Sequence, residues 1–194
     1  MANQDAAFGM RPLKMIGGAP YTGGQSRYRI AANYGTAIFQ GDMVAQVTGG
    51  TIEVHADGGT VPIVGVFNGC RFTDPTTKKE TFSNFYPAST NASDIEAFII
   101  DDPDVVFEIQ ADAAFPIADL FGNFDIVYTS AGSTVTGISG AELDVTTGAT
   151  NTNLPIKAID ISQDPENSDV GSDATNVQVV IQNHIFGVKG AGLA

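Results

Sequence analysis

The sequence predicts an all-β protein, and three observations carry that prediction. β-Branched side chains dominate: 17 Ile, 16 Val and 18 Thr stand against 5 Leu. Such residues lose rotamer freedom in a helix and pack well on a pleated sheet. The 22 Gly and 9 Pro supply turns for many short strands, because Gly reaches backbone conformations closed to other residues and Pro fixes its own. A hydrophobic share of 43% is too high for a disordered chain. The 194 residues suit one medium domain. The expected architecture is a compact β-barrel or jelly-roll-like body with an extended N-terminal arm.

The arm is residues 1–24 and the body residues 25–194. In the opening segment Phe8, Met10, Leu13, Met15 and Ile16 are interrupted by Gly17, Gly18, Pro20, Gly23 and Gly24. Neither a helical nor a strand period runs through it. A stretch that spaces apolar anchors along pliant backbone is suited to ordering on another surface. Its charge sets it apart as well: Arg11, Lys14, Arg27 and Arg29 against Asp5 give residues 1–30 a net +3, leaving −16 on the remaining 164 residues.

Strand patterning begins at residue 25. Residues 27–30 alternate polar with apolar, and residues 42–47 and 51–54 flank the turn Thr48-Gly49-Gly50 as a hairpin. Residues 61–72 make a long apolar strand in which Gly65 and Gly69 mark bulges or bends. Residues 73–95 read as an excursion whose aromatics, Phe82, Phe85 and Tyr86, are available to the parent body or to a neighbour. Strands follow at 96–100 and 105–109, one helical turn is entered at Pro116, and a closing strand runs over 176–188.

The second half can be laid on the first. Asp42-Met43-Val44 aligns with Asp125-Ile126-Val127, Gly49-Gly50 with Gly132, Thr51-Ile52 with Thr134-Val135, and Val61-Pro62-Ile63-Val64 with Leu154-Pro155-Ile156-Lys157. The offset grows from 83 residues at the aspartates to 93 at the prolines, which calls for an insertion within 140–153. Hairpins built from Val, Ile, Thr and Gly also resemble one another without duplication, so both readings stand at this stage.

Signatures of chemistry are absent. No run approaches the roughly 18 apolar residues of a membrane-spanning helix, and residues 1–30 lack the apolar core of a signal peptide, so a chain made in the cytoplasm is expected. A lone Cys70 reads as a small buried hydrophobe. His55 and His184 lie 129 residues apart and lack the close partner spacing of zinc or triad chemistry. Asp101, Asp102, Asp104 and Glu108, and the looser set Asp160, Asp164, Glu166, Asp169 and Asp173, offer oxygen ligands of the kind calcium takes, but without EF-hand spacing. They read as solvated loop charge, and neither metal nor cofactor is expected. Residues 18–25 mimic the spacing of a phosphate loop without its Lys and Ser or Thr. An acidic body also disfavours nucleic acid, whose phosphates demand counter-charge.

Three segments carry a resemblance: Asp102-Pro-Asp-Val-Val-Phe-Glu-Ile-Gln-Ala-Asp112, Thr136-Gly-Ile-Ser-Gly-Ala-Glu-Leu-Asp144 and Gln182-Asn-His-Ile. From about Gln25 onward the chain resembles the head decoration, or capsid cement, proteins of tailed bacteriophages. The resemblance implies a non-enzymatic virion protein with a β-barrel or jelly-roll-like body, a homotrimer on the outer capsid surface that bridges subunits of the major capsid protein. From the acidic charge and the lack of long apolar runs, no nucleic acid and no membrane are expected as partners. The expected capsid-contact residues are Phe8, Met10, Arg11, Leu13, Lys14, Met15, Arg27 and Arg29, with Phe82, Phe85 and Tyr86 as candidate contacts to another copy or a neighbour. The alternative is a receptor-binding or fibre-associated virion module.

Overall fold

The computed structural model describes residues 3–167 and 169–187. Its strands are β1 (Arg11–Met15), β2 (Ser26–Arg29), β3 (Met43–Val47), β4 (Thr51–Val54), β5 (Ile63–Thr73), β6 (Glu80–Ser83), β7 (Glu96–Ile100), β8 (Val105–Gln110), β9 (Asn123–Tyr128), β10 (Ala141–Ala149), β11 (Ile156–Ile161) and β12 (Asn176–Ile181). The only helix among the described residues is the 3₁₀ turn Ile117–Asp119, entered from Pro116. The body is all-β, as the β-branched composition requires.

Every strand ladder is antiparallel. One sheet runs β2-β7-β5-β3-β4, with β6 added to β5; the other runs β1-β8-β12-β11-β9-β10. Without β1 and β6, the two orders are the same pattern repeated: first, fifth, fourth, second and third strand of each half. The halves are therefore two copies of one five-stranded unit, residues 26–100 and 105–181. In each, the sheet curls until its ends meet: β2 approaches β4, and a parallel bridge joins Ala111 to Leu143. The aligned aspartates both lie at the second strand of their unit, and Pro62 and Pro155 each immediately precede the fourth. One part of the alignment is corrected. Thr134-Val135 is a turn and the true counterpart of β4 is β10, because the insertion precedes that strand: residues 129–140 stand where the first unit has only 48–50. Ser133 explains the turn, its Oγ accepting from the backbone N–H groups of Val135 and Thr136 at 3.3 Å each.

The units pack through β5, which is buried on both faces. Val64, Phe67, Cys70 and Phe72 line the core of the first unit, while Ile63 and Val66 join Met43 and Ile100 in the core of the second. Bulges opposite Val44/Ala45 and at Phe67/Gly69 make this two-sided use possible by shifting the side-chain phase. Gly65 is fixed by space: a Cβ there would lie 2.2 Å from the Ile100 carbonyl oxygen. Beyond β12, the segment around His184 bridges to Ile63 and ties the second unit back to β5. The expected closing strand ends earlier than 188, at Ile181, and Val188 lies outside the described residues.

Two boundaries from the sequence are also corrected. The expected arm, residues 1–24, does not stand off over its described part, 3–24: Arg11–Met15 pairs with β8 of its own chain, and Met10 is buried in the second unit's core. Burying an apolar side chain of that size is worth about 1.5–3 kcal/mol, which holds the leader down. Residues 73–95 are likewise integrated, since β6 pairs with the end of β5.

Candidate interaction surface

Of the eight expected contact residues in the leader and β2, seven have side chains turned to solvent or only partly covered. Arg11, Leu13, Arg27 and Arg29 are exposed, and Lys14 is half-buried. Phe8 and Met15 are half-buried, Met15 against the second unit's core. Met10, 2% exposed in the second unit's core, offers no side chain to a capsid partner. Arg11 is engaged internally: its Nε lies 3.1 Å from Glu108 Oε2, its Nη2 contacts the same oxygen, and its guanidinium sits 4.7 Å from the centre of the Phe8 ring. Glu108 is itself 2% exposed and accepts from Ser162 on its other oxygen. A buried carboxylate demands such partners, because leaving it unpaired is strongly destabilising. The cations of residues 1–30 outside that pair are Lys14 in the leader and Arg27 and Arg29 on β2. Arg27 faces Glu96 at 3.6 Å, a contact open to solvent and correspondingly weak.

β1 is an edge strand, yet it is protected as an edge. Pro12 offers no N–H, and the register breaks around Leu13. Both features discourage pairing with a further strand. What the edge does present is apolar side chain, with Leu13 37% and Ile16 60% exposed.

The three aromatics of residues 73–95 divide. Tyr86 is fully buried and donates to the Tyr34 carbonyl at 3.0 Å, which excludes it as a neighbour contact. Phe85 stacks on Phe39, ring centres 5.7 Å apart. Phe82 alone stands out, 68% exposed. Asn84 donates to the Thr136 carbonyl at 2.6 Å, fixing the inserted 129–140 loop beside this strand and carrying Val135, 94% exposed, to the same end of the molecule.

The strongest concentration of perturbed groups had no sequence signal. A cavity of about 210 Å³ between the units is lined by Asp42 and His55 of the first and Tyr128 of the second. Asp42 Oδ2 accepts from the Phe39 N–H at 2.7 Å and Oδ1 from Ser139 Oγ at 2.5 Å, so this carboxylate links the units. Burial raises its pKa from 3.8 to about 6, against the opposing pull of the two hydrogen bonds. Burial likewise lowers the His55 pKa and raises that of Tyr128 well above its ordinary value. Among the described residues, His55 Nε2 and Tyr128 Oη have no hydrogen-bond partner. Only the Asp42 repeat position could have flagged this cluster, since its members are 13 to 86 residues apart in the chain. His184 is also buried, with Nδ1 accepting from the Phe186 N–H at 3.0 Å. Among the described residues, no three His, Cys, Asp or Glu side chains gather as a metal site, and no helix is long and apolar enough to cross a membrane.

No protein-family model, no curated protein and no solved structure matches the chain.

Proposed function

We propose that this chain is a non-enzymatic structural protein of a tailed-bacteriophage head, decorating the outer capsid surface and bridging subunits of the major capsid protein. The observation that supports this reading best is the distribution of surface character. Within residues 11–29 exposed Leu13 and Ile16 accompany the exposed cations Arg27 and Arg29, on a chain whose remainder is strongly acidic. Exposed apolar side chains are the anchors of a protein-docking surface, and cations on an otherwise acidic chain steer the encounter with an acidic partner. The contact passes through the surface of a folded unit, not through a loose tether. Repetition over a lattice then strengthens a modest contact, because each further attachment of an oligomer is effectively intramolecular. A protein that binds the assembled shell and not its parts stabilises that shell by mass action.

The test mixes purified protein with bare expanded heads and measures occupancy by electron microscopy, for the natural chain and for a Leu13→Asp/Ile16→Asp variant. Both positions are exposed, so the fold is retained. Saturable decoration by the natural chain and at least a tenfold weaker affinity of the variant are expected. Absence of head binding by the natural chain, together with binding to cells or glycans, would replace this reading with that of a receptor-binding module.

A further inference from the structure

We propose that the leader is exchanged between copies: in the assembled protein, residues 3–21 of one chain lie on β8 of the neighbouring chain, and this exchange is what holds the oligomer together. The exchange concerns the isolated protein and stands apart from the decoration reading.

The first support is that β1 is not part of the repeated unit. Strands β8–β12 complete the same five-stranded pattern as the first half without it, so β1 is an addition laid against a finished sheet. The second is that the slot it fills needs an occupant of this particular chemistry. Glu108 is buried and takes its cationic partner from Arg11. Gln110, 1% exposed, donates to the Gln4 carbonyl at 2.9 Å and accepts from the Ala6 N–H at 2.8 Å. Met10 closes the core. With the slot bare, the carboxylate would lose its cation and keep only Ser162, the amide would lose both leader backbone partners, and an apolar opening would face water. The leader answers all three with Arg11, its own backbone and Met10, so the occupant is a leader of this sequence, supplied by a second copy of the chain.

The third support is the connection. Thr22, Gly23, Gly24 and Gln25 are all exposed, and a Cβ at either glycine would meet nothing within 4 Å. The contacts that hold the hinge are two hydrogen bonds, Tyr21 Oη to the Gly24 carbonyl at 2.7 Å and Asn68 Nδ2 to Gln25 Oε1 at 3.0 Å. The leader's own anchors lie elsewhere on the surface of the two units, including Asn3 on the Asp173 carbonyl at 3.0 Å and Met10 N–H on the Gly41 carbonyl at 2.9 Å. Exchange therefore conserves the leader's anchoring contacts and alters a short hinge held by two exposed hydrogen bonds, the condition under which swapping is a low-cost route to an oligomer.

The register supplies the experiment. Lys14 lies opposite Val106, and Met15 opposite Val105. A Lys14→Cys/Val106→Cys double variant of the full chain is oxidised and run on a non-reducing gel beside each single variant, and its mass in solution is measured by light scattering. Exchange yields covalent multimers from the double variant, reversed by reductant and absent from both single variants. A fast-migrating cross-linked monomer overturns the proposal, because it records the leader on its own chain. Formation of either bond itself reports that the strand pair has folded. Where the first pair forms neither, Met15→Cys/Val105→Cys is read in the same way, and a strictly monomeric natural chain also overturns the proposal.

Discussion

Asp42 makes the stability of this protein depend on pH in a direction opposite to that of most carboxylates. It is 1% exposed, and its pKa in the fold is about 6 against an ordinary 3.8. For an acid raised on folding, the native state favours the protonated form, so the stability it contributes is complete below about pH 4 and is lost as pH rises through about 6. Each pH unit of displacement is worth about 1.4 kcal/mol, and the interval therefore amounts to about 3 kcal/mol of destabilisation at neutral pH from this group. Asp42→Asn removes the titration and keeps the shape: the amide oxygen can still accept from Phe39, and the amide nitrogen can donate to Ser139 Oγ. Urea unfolding of both proteins at intervals from pH 4 to 7.5 gives the difference in stability at each pH, in which groups common to both, His55 included, largely cancel. The variant is expected to match the natural protein within about 1 kcal/mol at pH 4 and to gain about 3 kcal/mol relative to it by pH 7.5. A difference that stays constant within about 0.5 kcal/mol over that range would refute the assignment of a desolvated carboxylate between the units.

Two further outcomes follow from packing. Gly65→Ala places a methyl group 2.2 Å from the Ile100 carbonyl oxygen and 2.7 Å from Ile99 Cγ2, so chemical denaturation should register a loss at the upper end of the about 1–3 kcal/mol typical of overpacking; an unchanged midpoint would mean that β7 is free to retreat. Cys70 is 1% exposed, with its thiol pushed up to about 12 by burial, and at pH 8 iodoacetamide should modify it at least about a thousandfold more slowly in the native protein than in urea. Comparable rates would show that the first unit's core opens readily.

Much of the fold was legible because its signals are local. The β3–β4 hairpin is written in Thr48-Gly49-Gly50, and the bulged β5 in Gly65 and Gly69, where alternation and turn residues decide the structure within a few positions. Duplication was half legible: the aspartates and prolines marked equivalent places, but Thr134-Val135 looked like a strand start, and only the side-chain bonds of Ser133 disclose a turn. β1 was illegible for the opposite reason. Pro12 and the break at Leu13 spoil its strand pattern, and it is held by Glu108, 97 residues away, a partner no local pattern announces. The Asp42–His55–Tyr128 cavity is invisible for the same reason, since it exists only once two units, each unremarkable alone, are pressed together.

The duplication also explains why equivalent strands differ so sharply in burial. β2 and β8 occupy the same place in the repeat, yet β2 is exposed at three of its four residues and half-buried at Tyr28, whereas β8 is buried at all six. Each is bonded on one side to the fifth strand of its unit, β2 to β7 and β8 to β12. The difference lies on the other side, where β8 is covered by the leader and β2 has no such strand among the described residues. Composition followed that geometry: β8 reads Val-Val-Phe-Glu-Ile-Gln, with its two polar residues answered by leader groups, while β2 reads Ser-Arg-Tyr-Arg and keeps its charge in water. Two units of like topology are thus made unlike at their first strands by β1, and the surfaces available for binding follow from where that strand lies: the cations of β2 left open, the acid of β8 closed.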